Sequence, residues 1–393
     1  MTLTPRLAFP LAAAAFLVAA DARLPAPLLP AIQESFDATT GRAGLIVSGY
    51  LIAYALCQLC YGPFGDRVGP LRLMRGSLTL FAVATVLCAF APTLETLVAL
   101  RVLTGISAAA VIPMSLAHLG DSIPLPSRTR VIGTLLSVLI AGQALGAGLG
   151  GVLAQFVSWR VVFVIIGICA AIAAMSLRRS APRMAAGTRP RVPRGGLRTT
   201  AGLIGRNPGL FACLILEMFA LNGAFPFVGT VLVSDEGLGY GVTGALLALF
   251  AVGAALGARL PMTDIRHRLF VGGALLAAGF ALIAAQLGVP VSAVAILGLG
   301  FGVALAHATM QTRATEIDPE RRASAVSVYA FTANAAGALG TLAVGATIDA
   351  YGAASSFAGA AVLLVVFALV APRVLTHRSG DARTARSTKV THV

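Results

Sequence analysis

Charge is what this chain has least of. Asp, Glu, Lys and Arg together make 11% of its 393 residues, where a soluble domain carries about 25% to keep its surface solvated. Most of its length therefore faces a solvent other than water. Lysine occurs once, at Lys389, which excludes a G-x4-G-K-[ST] nucleotide loop and any ATP-driven cycle run by this chain alone. A single tryptophan and 7% aromatics speak against a transmembrane β-barrel, which needs aromatic girdles. The five cysteines (Cys57, Cys60, Cys88, Cys169, Cys213) lie in apolar segments. Cys57 and Cys60 have C-x2-C spacing, but without a second pair they read as small buried apolar residues, and no disulfide or metal site is implied. Nor does any nucleophile–base spacing suggest an enzyme.

What is present is apolar. Hydrophobic residues make 58% of the chain, mean hydropathy is +0.88, and 43 glycines suit helices that approach closely in a membrane. Apolar stretches of about 20 residues, long enough to cross a bilayer as helix, fall at 7–30, 42–63, 73–91, 95–118, 130–154 and 159–177. A second series falls at 208–233, 241–261, 269–287, 290–311, 324–348 and 353–372. The first stretch exceeds a signal-peptide core of ~7–15 residues and holds Asp21 and Arg23, so it counts as a retained span. The chain reads as an all-α membrane protein of twelve transmembrane helices in two six-helix bundles, 1–177 and 207–372. Between them, 178–206 carries Arg178, Arg179, Arg183, Arg189, Arg191, Arg194, Arg198 and Arg206 and no acid, the composition of a linker that buries no core. The basic tail at 373–393 reads as disordered.

The net charge of +14 is one-sided. Of the 29 Lys and Arg, all but Arg23, Arg42, Arg101 and Arg160 fall at helix ends and loops of one side. By the positive-inside bias that side is cytoplasmic, with both termini on it, in a cell inner (plasma) membrane. Basic loops so placed meet anionic lipid, and nucleic acid is not an expected partner. The halves also repeat. Gly105 and Gly300, Asp121 and Glu316, Pro124 and Pro319, Gly142 and Gly337, and Gly150 and Gly345 are each 195 apart (300 − 105, and likewise for the rest). One offset that keeps acid, proline and glycines indicates internal duplication, with a pseudo-symmetric cavity between the halves.

Three segments carry mechanism. Gly62-Pro63-Phe64-Gly65-Asp66-Arg67-Val68-Gly69 reads as a tight cytoplasmic turn that uses Gly65 and Gly69 for backbone freedom. Asp66 beside Arg67 and Arg72 offers a charge cluster able to latch a neighbouring helix in one conformation. This string resembles the loop G-x3-D-R-x-G-[RK] of the major facilitator superfamily, with Pro70 where a basic residue is usual. The resemblance implies a gate rather than a substrate site. The matching loop of the second half, Gly257 to Asp264, is a decayed copy. Arg101 and Gly105 resemble a second motif of the superfamily, whose arginine is implied in proton coupling. Gly142, Gly146, Gly150 and Gly151 resemble its antiporter motif, with Ala147 in place of proline. Read as residues alone, the same glycines form a stripe for close helix packing.

Arg101 inside an apolar span needs a partner. Counting ~1.5 Å per residue puts it roughly 10 Å below the outer surface and Asp21 roughly 13 Å below it, so the two are expected to pair and to face the cavity. Arg23, two residues on, points to another face and reads as a snorkelling arginine or a cavity residue. Glu217 lies one residue from the repeat equivalent of Asp21 (21 + 195 = 216). It is a second proton-coupling candidate, or else a structural acid bonded near Asn222. Gln143, Asn222, His307 and Asn334 are candidates for the substrate cavity. The resemblance implies proton-coupled efflux of a small amphipathic or drug-like molecule by a monomer, with protons and membrane lipids as partners and a proton gradient in place of a cofactor. The alternatives are a proton-coupled uptake symporter and a transport-inactive sensor or scaffold.

Overall fold

The computed structural model describes residues 5–122, 125–180, 197–262, 264–318 and 322–390. Local chemistry sets seven of the sixteen α-helix starts among the described residues. Thr39, Thr93 and Asp264 accept the backbone N–H of Arg42, Thr96 and Arg266 and so cap α3 (Thr40–Val68), α5 (Leu94–Ala108) and α13 (Ile265–Ala284). Proline, which has no N–H to lose, opens α2 (Pro25–Ser35), α4 (Pro70–Cys88), α10 (Pro208–Ala224) and α14 (Val289–Ala314) in its first turn.

The first rod of each half departs from regular helix at a proline, in the first half by a sharp bend and in the second by a 3₁₀ turn within one continuous span. α1 (Pro5–Arg23) meets α2 at a bend of 49°. Pro25 cannot donate to the carbonyl of Asp21 four residues before it, and its ring crowds that oxygen. In the second half, α10 passes through a 3₁₀ turn at Phe225–Phe227 into α11 (Val228–Ser234). There Pro226 leaves the carbonyl of Asn222 without its helical donor. Thr341 Oγ1 donates to that carbonyl at 3.1 Å.

α5 continues through Ala109 and Ala110 into α6 (Val111–Ser122) as one span, Leu94–Leu116. The remaining rods are α7 (Leu125–Phe156), α8 (Trp159–Ser180), α12 (Tyr240–Ala258), α15 (Arg322–Tyr351) and α16 (Ala353–Val390). With α1–α2, α5–α6 and α10–α11 each taken as one, the described residues form twelve rods beside the short α9 (Leu197–Arg206), six in each half, ten or eleven of them long and apolar enough to cross a membrane. Large apolar side chains such as Leu80, Val83, Ile168, Ile172, Val362 and Val365 face outward, as a lipid-facing surface requires.

The duplication is visible in packing. Gly105 lies against the backbone of Tyr50, where an added Cβ would sit 2.3 Å from its carbonyl oxygen, and Gly300 lies likewise against Phe250. Gly142 meets Phe16 as Gly337 meets Asn222. The fourth rod thus seats on the second, and the fifth on the first, in both halves. Of the other repeat pairs, Pro124 and Pro319 and the side chain of Asp121 lie outside the described residues, as does the linker over 181–196.

Three expectations are corrected. The segment read as a turn is helix through Val68, and only Gly69, at φ +91°, separates α3 from α4. Gly69 therefore does need its backbone freedom. Gly65 does not, because it is helical and its bare face admits Met114 Sδ, 2.5 Å from where a Cβ would stand. The end of the linker is a short helix, α9 (Leu197–Arg206), with Leu203 buried. The tail read as disordered continues α16 as helix to Val390.

Candidate functional site

The seam between halves is formed by α3 against α15 and α7 against α12. Its tightest contacts gather at one end. Thr39 Oγ1 donates to Asp349 Oδ2 at 2.6 Å, and the N–H of Gly41 donates to Asp349 Oδ1 at 2.9 Å. Gly151 meets Tyr240 and Gly244, Gly229 meets Ala26, and Gly41 meets Gly345, all backbone to backbone. One buried apolar cluster runs across the seam here, joining Leu28, Leu94 and Trp159 to Phe227, Val228 and Leu247. A separate cluster around Leu11, Met74, Phe81, Met114 and Leu177 belongs to the first half alone, toward the linker end. The contacts of Asp349 and of the glycines hold the two halves together at the Asp349 end. Asp349→Ala removes an ionised acceptor that serves two donors, worth about 1–3 kcal/mol. A cysteine at Thr341, buried at this seam, in a background lacking the five native cysteines, is expected to react with maleimide at least about fivefold faster in that variant.

Asp21 and Arg101 pair as their depths require. Arg101 Nη1 is 2.9 and 2.8 Å from the two carboxylate oxygens, and Nη2 is 3.5 Å from the Asp21 carbonyl that Pro25 leaves free. The guanidinium carbon stands 4.5 Å from the centroid of the Tyr50 ring and 5.7 Å from that of Phe163. The pair does not face a cavity, as expected from sequence, but is sealed inside the first half at 0% and 1% exposure. Arg101 Nε and Tyr50 Oη have no hydrogen-bond partner there.

Glu217 is the corresponding buried acid of the second half, also at 0% exposure. Its hydrogen-bond partner is His307 rather than Asn222: His307 Nδ1 lies 3.0 Å from Glu217 Oε2, and Tyr329 Oη lies 3.3 Å from the same nitrogen. Asn222 instead donates to Met218 Sδ at 3.4 Å. Glu217 Oε1 is buried without a partner, while His307 keeps 21% of its side chain exposed. Each half thus ties its first rod to its fourth through a buried carboxylate.

Arg23 does not snorkel. It reaches across the seam, with its guanidinium carbon 5.2 Å from the Phe225 ring and 5.5 Å from Phe250, both of the second half. Its Nε donates to Gln143 Oε1 at 3.5 Å. Asn334 bridges the seam to Gln58 at 3.4 Å. The glycine motif divides its work: Gly142 and Gly146 bed α7 on α1, Gly150 accepts Leu24, and Gly151 faces the other half. Gly62 lies within α3, and the side chain of Asp66 lies outside the described residues. Arg67 and Arg72 are exposed and form no ion pair among the described residues. In the decayed loop, Asp264 caps α13, and the hydrogen bonds from His267 and from the N–H of Arg266 hold its carboxyl below the ordinary value.

The sequence named neither Tyr50, Tyr329, Phe225 and Phe250 nor Asp349 as site residues. Its one usable signal for the freed carbonyls was the distance of four from Pro25 and Pro226.

The family model of the Major Facilitator Superfamily matches residues 11–317. The chain is 30% identical over 251 residues to an uncharacterized MFS-type transporter, YceJ, of Bacillus subtilis, with 62% of each chain covered. It is 34% identical over 164 residues to the methylenomycin A resistance protein of Streptomyces coelicolor, covering 41% of this chain and 34% of that one. These matches span less than two thirds of the relatives' own lengths. Among solved structures, the nucleoside transporter NupG superposes with a TM-score of 0.74 at 16% identity, over 94% of this chain and 99% of that one, a likeness of fold alone. A sequence match that runs through both halves, on a helical fold that repeats its own packing, makes this chain a member of the major facilitator superfamily.

Proposed function

We propose that the chain exports a small amphipathic molecule in exchange for protons, alternating between a state open at the linker end and one open at the Asp349 end. The observation that carries this reading is the pair of sealed carboxylates, Asp21 with Arg101 and Glu217 with His307, one in each half. A buried carboxylate that takes a proton loses most of its hold on a cationic partner, so protonation changes the relative free energy of the two states. The arginine asymmetry makes the linker end cytoplasmic, in an inner membrane with both termini inside. The proton gradient serves as the energy source, and the chain works as a monomer. Arg67 and Arg72, exposed and without an ion pair among the described residues, are then a latch that engages when the linker end closes.

Everted vesicles test this. After respiration acidifies the lumen, adding substrate should release lumenal protons, read as recovery of a quenched acridine dye. A compound panel should begin with methylenomycin A, for which the Streptomyces relative is named. Glu217→Gln removes one charge-assisted hydrogen bond, worth about 1.5–3 kcal/mol, and should slow release roughly tenfold or more. A symporter is the second reading, compatible with the fold shared with the nucleoside transporter. It would give no release when substrate is added to the cytoplasmic face, and that result across the panel would end the export reading.

A further inference from the structure

Arg23 is the seam's unanswered charge. Asp21 is engaged by Arg101, Glu217 by His307, Glu34 lies 3.5 Å from Tyr240 Oη, and Asp349 holds Thr39. Among the described residues Arg23 meets Gln143 and two phenyl faces and no acid. A guanidinium offers five N–H donors in a planar fork, and here one of them is used, at the long distance of 3.5 Å. Two cation–π contacts return only part of what taking a charge out of water costs. The group is held in place, but its charge is not neutralised.

Its surroundings open onto the central space. On α7, Gly142, Gly146 and Gly150 face α1, and Gly148 and Gly151 face α12. At about 100° per residue, Gln143 points between those two directions, and it is exposed. Its exposure is therefore toward the gap between the halves rather than toward lipid. The other polar side chains at this gap, Asn222, Asn334 and Gln58, are neutral and half-buried. Phe225, 2% exposed, and Phe250, half-buried, stand 4.7 Å apart, tilted at 54°, an apolar platform beside the cation whose accessible ring is Phe250.

We propose that Arg23 and Gln143, with the Phe225–Phe250 platform, form an anion site, and that the molecules this seam accepts carry one negative charge, such as a carboxylate, on an apolar or aromatic body. An arriving carboxylate satisfies the free fork with two charge-assisted bonds while its body lies against the Phe250 ring. An ammonium compound of the same shape meets an uncompensated like charge. This assignment rests on the exporter reading for its place in turnover, though not for binding.

The test compares three probes of one shape on the detergent-purified chain by titration calorimetry: naphthalene-2-carboxylate, 2-naphthylmethanol and 2-naphthylmethylammonium. The carboxylate should bind tightest, roughly tenfold or more over the alcohol. Arg23→Gln should erase that preference and leave the alcohol's affinity unchanged. Arg23→Lys, which keeps the charge without the fork, should retain an intermediate preference and covers the case in which the glutamine variant does not fold. A carboxylate that binds no better than the alcohol, an ammonium that binds best, or a preference that survives Arg23→Gln overturns the assignment. An Arg23-dependent preference with no proton release in vesicles leaves the anion site standing and removes the exporter reading. Proton-coupled export of cations without that preference does the reverse.

Discussion

Asp21→Asn is expected to abolish proton-driven transport and to destabilise the folded chain together. The amide keeps the shape of the carboxylate but leaves the Arg101 guanidinium charged, 1% exposed and already short of a partner at Nε. Removing one member of a buried pair typically costs about 3–5 kcal/mol, because the charge left behind is uncompensated. Tyr50 and Phe163 soften that cost through their ring faces without cancelling it. Thermal unfolding in detergent should therefore fall in Asp21→Asn and recover in Asp21→Asn/Arg101→Gln, where no lone charge remains. Proton release should be absent in both. Recovery of folding without recovery of coupling separates the two roles of the pair. Transport by the double variant at the native rate would remove Asp21 from the coupling machinery.

That pair was legible in the sequence because regular helices convert residue counts into depth. Asp21 and Arg101 sit on rods that run in opposite directions, and a constant rise per residue fixes how far each lies from a common surface. Arg23 shows where such counting stops. Its separation of two from Asp21 rightly placed it on another face, but the bend at Pro25 and the arrival of Phe225 and Phe250 from the other half decide where its side chain goes. The same holds for Glu217: the repeat offset found the acid, yet His307 lies 90 residues away with no local pattern to join them. Gly65 was read as a turn because glycine serves equally for backbone freedom and for close packing, and only the position of Met114 distinguishes the two. The glycine stripe of α7 was read correctly as packing, without any indication that its members pack on different halves.

That division predicts opposite outcomes for two neighbouring valines. At Gly146 an added Cβ would lie 2.3 Å from the carbonyl oxygen of Ala20 and 2.6 Å from its Cα, within the first half. Under the proposed alternation this contact stays inside one bundle and is the same in both states. Gly146→Val should lower the unfolding temperature, by an overpacking cost of about 1–3 kcal/mol or more, and leave the balance of states alone. At Gly151 the added Cβ would lie 2.5 Å from the Tyr240 carbonyl oxygen and 2.6 Å from Gly244 Cα, both across the seam. Backbone cannot swing aside as a side chain tip can, so the clash is relieved only by parting the halves at the Asp349 end. The same cost then falls on one state and shifts the equilibrium roughly five- to hundredfold toward the other. Gly151→Val should speed maleimide labelling of a cysteine at Thr341 while the unfolding temperature stays near native. Proton release should drop roughly tenfold, because a cycle needs both states. Equal labelling in the two variants would show that Gly151 packs statically, and the contact that parts in the cycle would then have to be sought elsewhere along the seam.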